Sequence, residues 1–247
     1  MPMKIVKPYH KEGSKKEQVA EMFDSISRRY DFLNRFLSLG IDINWRKKTV
    51  DFLKKTDATS ILDVATGTAD LAISINKGIP NSQVTGIDIS SGMIEVGRQK
   101  IYRRKLDSSI NLIIGDGENL PFDDNSFDAV TVAFGVRNFE DLEKGLSEMN
   151  RVIKPGGCIA ILEFSKPEKT PFKQLYFFYF KYILPTLGRW VSKDASAYSY
   201  LPASVDAFPY GEKFMSKLSE FSFKNIKSQP LTFGVATLYI AYTSKKN

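Results

Sequence analysis

A chain of 247 residues with 43% hydrophobic and 26% charged residues is long enough to bury a substantial core and too apolar for disorder. Its single cysteine, Cys158, excludes an intrachain disulfide, and its single histidine, His10, excludes a histidine triad or metal cluster, so no metal is expected. The net charge of +7 favours anionic partners, yet apart from short groups such as Lys15-Lys16 and Arg103-Arg104-Lys105 the basic residues are dispersed. Solvated faces account for most of them, and no nucleic-acid partner is expected. The start of the chain has no signal-peptide core, and no apolar run approaches the roughly 20 residues of a membrane span. This predicts a single cytoplasmic domain over residues 1–247, with membrane-surface contact and a homodimer left open.

Residues 1–14 read as a mobile lead-in. From Ser14 to about Leu53, apolar residues recur at spacings of three and four, including Val19, Met22, Ile26, Tyr30 and Leu33, which predicts helices. Gly40 punctuates this stretch, and Asp42 is expected to cap a second helix running through Trp45 and Val50. Residues 15–55 should therefore form a helical cap across the carboxyl edge of a sheet.

Strands and helices then alternate. Ser60–Val64 is the first strand, Ala69–Asn76 a helix, Gln83–Asp88 the second strand, Gly92–Arg103 a helix and Ile110–Ile114 the third strand. Phe127–Phe134 is the fourth, a helix follows from about Asp141 to Val152, and Gly157–Phe164 is the fifth, with Cys158 a buried strand residue. Short connections and continuous apolar runs suit parallel strands covered on both faces, an α/β fold. Residues 166–210 break the alternation and hold 12 of the 31 aromatic residues, about twice their share by length. A helix near Gly211–Phe221 and two strand-like runs, Phe223–Gln229 and Val235–Thr243, which could pair antiparallel at the sheet edge, complete the chain.

In an open parallel sheet, ligands bind beyond the carboxyl ends of the strands. The first exit, from Asp63 through Gly67 and Thr68 to Asp70, has small residues that let the backbone approach a ligand. Asp88 ends the second strand, where a carboxylate can take both hydroxyls of a ribose. Asp116 and Gly117 follow the third, where an acid can accept from the exocyclic amine of adenine, and Ala133 ends the fourth. G-x-G-x-x-G is absent, so a methionine-derived nucleotide fits this set better than a dinucleotide.

The order of elements resembles the class I methyltransferases, whose Rossmann-like seven-stranded sheet ends in an antiparallel hairpin with helices on both faces. The first exit departs from that class's D-x-G-x-G-x-G, with Ala65 and Ala69 at the outer glycine positions. Within the class the chain resembles the UbiE/MenG quinone C-methyltransferases in three stretches. These are Tyr30-Asp31-Phe32-Leu33-Asn34 with Trp45, then Phe134-Gly135-Val136-Arg137-Asn138, then Arg151 to Gly157 continuing through Glu163-Phe164-Ser165. Asp42 stands where that family commonly carries histidine.

The resemblance implies methyl transfer from S-adenosylmethionine to a ring carbon of a reduced, prenylated quinone. A phenol of pKa about 10 needs electrostatic help to lose its proton near neutrality. Arg137 is the first candidate to stabilise the phenolate, with Tyr30 a hydrogen-bonding partner, Asp31 a proton acceptor and Asn138 a substrate-orienting group. The aromatic insert, including Phe172, Tyr176, Phe177, Tyr179, Phe180 and Trp190, would form a ring pocket and prenyl channel, broken into a lid by Pro171, Pro185, Gly188, Pro202 and Pro209. A lipophilic quinol would bring the protein to the membrane surface, at least transiently. Demethylmenaquinol is the expected substrate. The benzoquinol of ubiquinone synthesis, methylation of RNA or another small molecule, and a non-catalytic binding module are the competing readings.

Overall fold

Strand formation follows the alternation of buried side chains. In the computed structural model, which describes residues 6–9, 11–179, 182 and 195–244, the first three strands coincide with their apolar runs: β1 Ser60–Val64, β2 Gln83–Asp88 and β3 Ile110–Ile114. β4 is Phe127–Ala133 and β5 is Ile153–Phe164. The helices are α1 Lys15–Leu37, α2 Ile41–Leu53, α3 Asp70–Gly78, α4 Ser91–Arg103 and α5 Leu142–Val152, with a 3-10 turn at Val136–Asn138. Then come α6 Phe172–Phe178, α7 Ala195–Ala207, α8 Glu212–Glu220, β6 Lys224–Leu231 and β7 Ala236–Tyr242. His10, Phe180, Pro185, Gly188 and Trp190 lie outside the described residues.

The seven strands form one sheet in the order β3-β2-β1-β4-β5-β7-β6, parallel except for β7, which runs antiparallel to both its neighbours. Side chains alternate between two cores. Leu62, Val64, Val130 and Val132 face Leu146, Met149 and Phe214 of α5 and α8, while Ile61 and Ala129 face Leu53, Ile75 and Ile94 of α2, α3 and α4. Cys158 is buried on the second face, where desolvation pushes its thiol up to about 12. The strand order reverses between β1 and β4, and the crevice of such a sheet opens there.

Several boundaries differ from the sequence expectation for local reasons. Gly40, at φ 76°, is the residue before α2, so Asp42 lies inside the first turn rather than capping it. β6 continues past Gln229 through Pro230, which an edge strand tolerates because one row of its N–H groups needs no partner. β5 starts four residues early, at Ile153, which pairs with Phe127 before the register shifts. α1 begins with a capping box in which Ser14 and Glu17 bond each other's backbone N–H. Among the described residues, no helix is long and apolar enough to cross a membrane.

Candidate active site

The turn after β1 is built from left-handed backbone. Ala65, Gly67 and Ala69 have φ of 52°, 57° and 64°, so both alanines occupy positions where glycine is the strain-free residue. The opposite wall makes room for the Ala65 methyl: a Cβ on Gly135 would fall 2.5 Å from that of Ala65. Over Gly67 an added Cβ would meet nothing within 4 Å, which leaves open space above the turn. Asp63 does not line the cleft beside this turn. Its buried carboxylate accepts from Thr66 Oγ1 at 2.6 Å and Thr131 Oγ1 at 2.7 Å, so it is corrected from a ligand-binding residue to the anchor that ties β1 to β4. Burial pushes its carboxyl up to about 6.

Asp88 does reach the cleft, together with Gly67, Asp116, Gly117 and Ala133. Its Oδ2 accepts from the Gly67 N–H at 2.8 Å and its Oδ1 from the Ser90 N–H at 2.9 Å. The Ile89 N–H also bonds this carboxylate, which still has acceptor capacity to spare, and burial raises the carboxyl to about 6 against these bonds. Asp116 is held from outside by Lys16, whose Nζ lies 2.6 Å from Oδ2 and 3.1 Å from Oε2 of Glu118. The neighbouring Lys15 is buried and donates to the carbonyls of Arg137 and Phe139, with its pKa lowered to about 8 chiefly by desolvation. The Lys15-Lys16 pair is therefore not a solvated face; it clamps the start of α1 onto the loops after β3 and β4.

Asn138 lines the same cleft, and its Oδ1 is buried with no hydrogen-bond partner among the described residues. A nucleoside with hydroxyl and amine donors fits these groups: two carboxylates with spare lone pairs, one orphaned amide oxygen, and space over Gly67. Thr68, by contrast, is buried away from the cleft and donates to Asp31 Oδ1 at 2.5 Å. Asp31 also pairs with Lys100 at 2.8 Å, on the side of α1 that packs on α4. It lines neither cavity, so its assignment as proton acceptor is corrected to a tie between helices.

A larger cavity of about 480 Å³ adjoins the cleft and shares Phe23, Tyr30 and Phe134 as wall. Its lining is mostly apolar and comes from α1, α2, α6, α7 and the loops around β5 and β7. Trp45, Phe134 and Phe164 form a packed aromatic trio at 4.5–6.1 Å between centroids. From the insert, Phe172, Tyr176 and Tyr179 line it, whereas Phe177 is exposed and does not. Phe134, at φ 59°, turns the chain out of β4 and sets the 3-10 turn at the junction of the two spaces.

Arg137 on that turn faces the larger cavity. Its Nη1 donates to Oε1 of fully buried Glu163 at 2.8 Å and to the Phe134 carbonyl, and its guanidinium stands 5.3 Å from the Phe164 ring. Its Nε is buried without a partner among the described residues, and so is the hydroxyl of Tyr200, which lines the same cavity from α7. Burial raises the phenols of Tyr30 and Tyr200 and the carboxyl of Glu163. Asp42 also lines this cavity, accepting from Ser38 Oγ at 2.6 Å and from Arg46. Glu163 and Tyr200 were not picked out as site residues from sequence. Glu163 carried two signals, an acid at the end of an apolar strand and a place in the third family-like stretch; Tyr200 was one tyrosine in an aromatic insert.

The profile of the ubiE/COQ5 methyltransferase family matches residues 11–243. The chain belongs to the ubiE/COQ5 methyltransferase family. It is 50% identical over 97% of its length to a Bacteroides fragilis protein named demethylmenaquinone methyltransferase, covering 98% of that relative. It is 49% identical to the ubiquinone/menaquinone biosynthesis C-methyltransferase UbiE of Geotalea daltonii, over 91% of this chain and 96% of the relative. Among solved structures, a possible histamine N-methyltransferase from Thermotoga maritima, described as SAM-dependent, aligns with TM-score 0.64 at 15% identity, covering 91% of this chain and 99% of that one. The [4+2]-cyclase SpnF aligns with TM-score 0.69 at 16% identity over 95% and 98%. These structural likenesses establish the class I methyltransferase fold. In this ubiE/COQ5 member the stretch from Phe134 to Asn138 wraps the junction of the two cavities, which accounts for its distinctive composition: a left-handed Phe, a Gly with no room for Cβ, and two polar side chains, one facing each space.

Proposed function

We propose that this chain is an S-adenosylmethionine-dependent C-methyltransferase that converts demethylmenaquinol to menaquinol. The observation that carries the reading is the junction itself, where a polar nucleoside cleft opens beside a large apolar cavity whose buried arginine has a donor to spare. The names of the relatives from Bacteroides fragilis and Geotalea daltonii support the quinone ring as acceptor.

Bound S-adenosylmethionine supplies a methyl group activated on a sulfonium. The protein's part is to hold the two partners and manage charge. Asp88 takes the ribose hydroxyls, and Asp116 and Asn138 receive donors deeper in the cleft. Arg137, fixed by Glu163, stabilises the phenolate formed when a ring hydroxyl gives its proton to solvent; this makes the adjacent carbon nucleophilic, and the proton on that carbon leaves to solvent as the ring regains aromaticity. Tyr30, in the shared wall, hydrogen-bonds the ring near the transfer axis, and Tyr200 provides a second polar contact. Alignment and the apolar lining, which excludes water, supply the rest. A prenylated acceptor makes this a cytoplasmic protein that visits the inner membrane surface.

Purified protein with labelled donor tests the reading. Transfer to a short-chain demethylmenaquinol, with little or none to RNA, is the expected result. Preference for a demethylated benzoquinol would move the function to the ubiquinone route, and no donor binding by calorimetry would overturn it.

A further inference from the structure

The exposed residues of α1 change character midway. The amino half shows Glu17, Glu21 and Asp24 to solvent; the carboxyl half shows Arg28, Arg29, Phe32, Arg35 and Phe36. The one acid in that second half, Asp31, is turned to Lys100. Arg28, Phe32, Arg35 and Phe36 follow at intervals of four, three and one, so they form a single stripe, and Leu39 is exposed in the turn just beyond the helix. Phe32 is 61% and Leu39 80% exposed, and the Phe32 and Phe36 rings stack at 5.9 Å. The opposite stripe of α1, with Met22, Ile26, Tyr30, Leu33 and Leu37, lines the large cavity.

We propose that the carboxyl half of α1 and the turn after it dock on an anionic lipid bilayer, with the phenylalanines inserted at the acyl boundary and the arginines on the headgroups. This occupant follows from the composition of the stripe. Aromatic side chains flanked by arginine, on a chain of net charge +7, complement a surface that is apolar beneath and negative above. Arg35 is only loosely engaged within the protein, 3.7 Å from Asp42. The stripe is also continuous with the cavity mouth. Leu39, Leu175 and Phe233 all line the cavity yet are 80%, 64% and 66% exposed, so the opening has an apolar rim shared with the docking face. Resting on the prenylated-quinol reading above, this geometry lets the ring enter the cavity while its chain stays in the bilayer.

Vesicle sedimentation tests the face separately from the chemistry. The protein should sediment with vesicles of equimolar phosphatidylcholine and phosphatidylglycerol, much less with phosphatidylcholine alone, and be released by high salt. The double variant Phe32→Ser/Phe36→Ser should lose about tenfold in vesicle affinity yet turn over a water-soluble short-chain demethylmenaquinol without lipid at the wild-type rate. Neither phenylalanine lines a cavity, so that rate also reports that the variant is folded. A wild type that ignores both vesicles, a variant that binds as well as wild type, or a wild-type dimer that the variant turns into monomer would each overturn the proposal, the last by showing a second copy as occupant. Absence of turnover in the wild type would count against the assigned chemistry and leave the vesicle result to judge the face.

Discussion

Nη1 of Arg137 and Oε1 of Glu163 lie 2.8 Å apart with both residues buried, and the Arg137 N–H adds a longer bond of 3.3 Å to the other carboxylate oxygen. The pair joins the turn after β4 to the end of β5. It fixes the guanidinium, and Nε is buried without a protein partner among the described residues. Removing one member of a buried ion pair costs about 3–5 kcal/mol. Arg137→Ala should therefore lower both thermal stability and turnover, the latter by about 10²–10³-fold, while donor affinity by calorimetry changes little. Glu163→Gln keeps the shape and should cost about tenfold in turnover. Full turnover in Arg137→Ala would refute its role.

Donor binding should depend on pH through Asp88. Its carboxyl titrates near 6, raised by burial, and the ionised form is the one that accepts two hydroxyls. Affinity should be flat above pH 7 and about tenfold weaker at pH 5, as expected one unit below the pKa. The sign for the unliganded protein is opposite. Asp63 and Asp88 take up protons on folding, so their contribution to stability declines as pH rises from about 4 to 6. Asp88→Ala should weaken binding by about 1–3 kcal/mol at neutral pH and abolish the acid loss. Calorimetry across that range measures both.

Tyr200→Phe separates binding from stability. The hydroxyl it removes is buried and has no partner among the described residues, so the folded state gives up no hydrogen bond there and stability should hold or rise slightly. If the hydroxyl meets a ring oxygen, KM for the quinol should rise by about tenfold with donor affinity intact. An unchanged KM removes Tyr200 from the acceptor site.

Asp31→Asn probes the corrected assignment. The carboxylate faces Lys100 and Thr68 and is partly exposed, where an ion pair contributes about 1 kcal/mol or less. Turnover should remain within about twofold of wild type, with a small fall in melting temperature. A loss comparable to that of Arg137→Ala would return Asp31 to the chemistry.

The strands were legible because a buried strand is a local pattern: Ser60–Val64, Gln83–Asp88 and Ile110–Ile114 need only a short apolar run between turn residues. The position of the cleft was legible through topology, since a parallel sheet places its strand exits side by side, and Asp88, Asp116 and Ala133 line it together. Asp63 misled because its position at the exit is right but its two oxygens are spent on Thr66 and Thr131.

Local pattern, then, determined which segments become strands and helices, and in what order they bring acids and glycines to one rim. Tertiary packing decided which neighbour faces the chemistry. Tyr30 and Asp31 are adjacent, but successive residues of a helix point about 100° apart, so the docking of α1 sent one to the cavity and the other to α4. The same docking put Lys16 on Asp116, a hundred residues away. The pairing of β4 with β5 set Glu163 behind Arg137, and neither distance along the chain nor residue type carries that information.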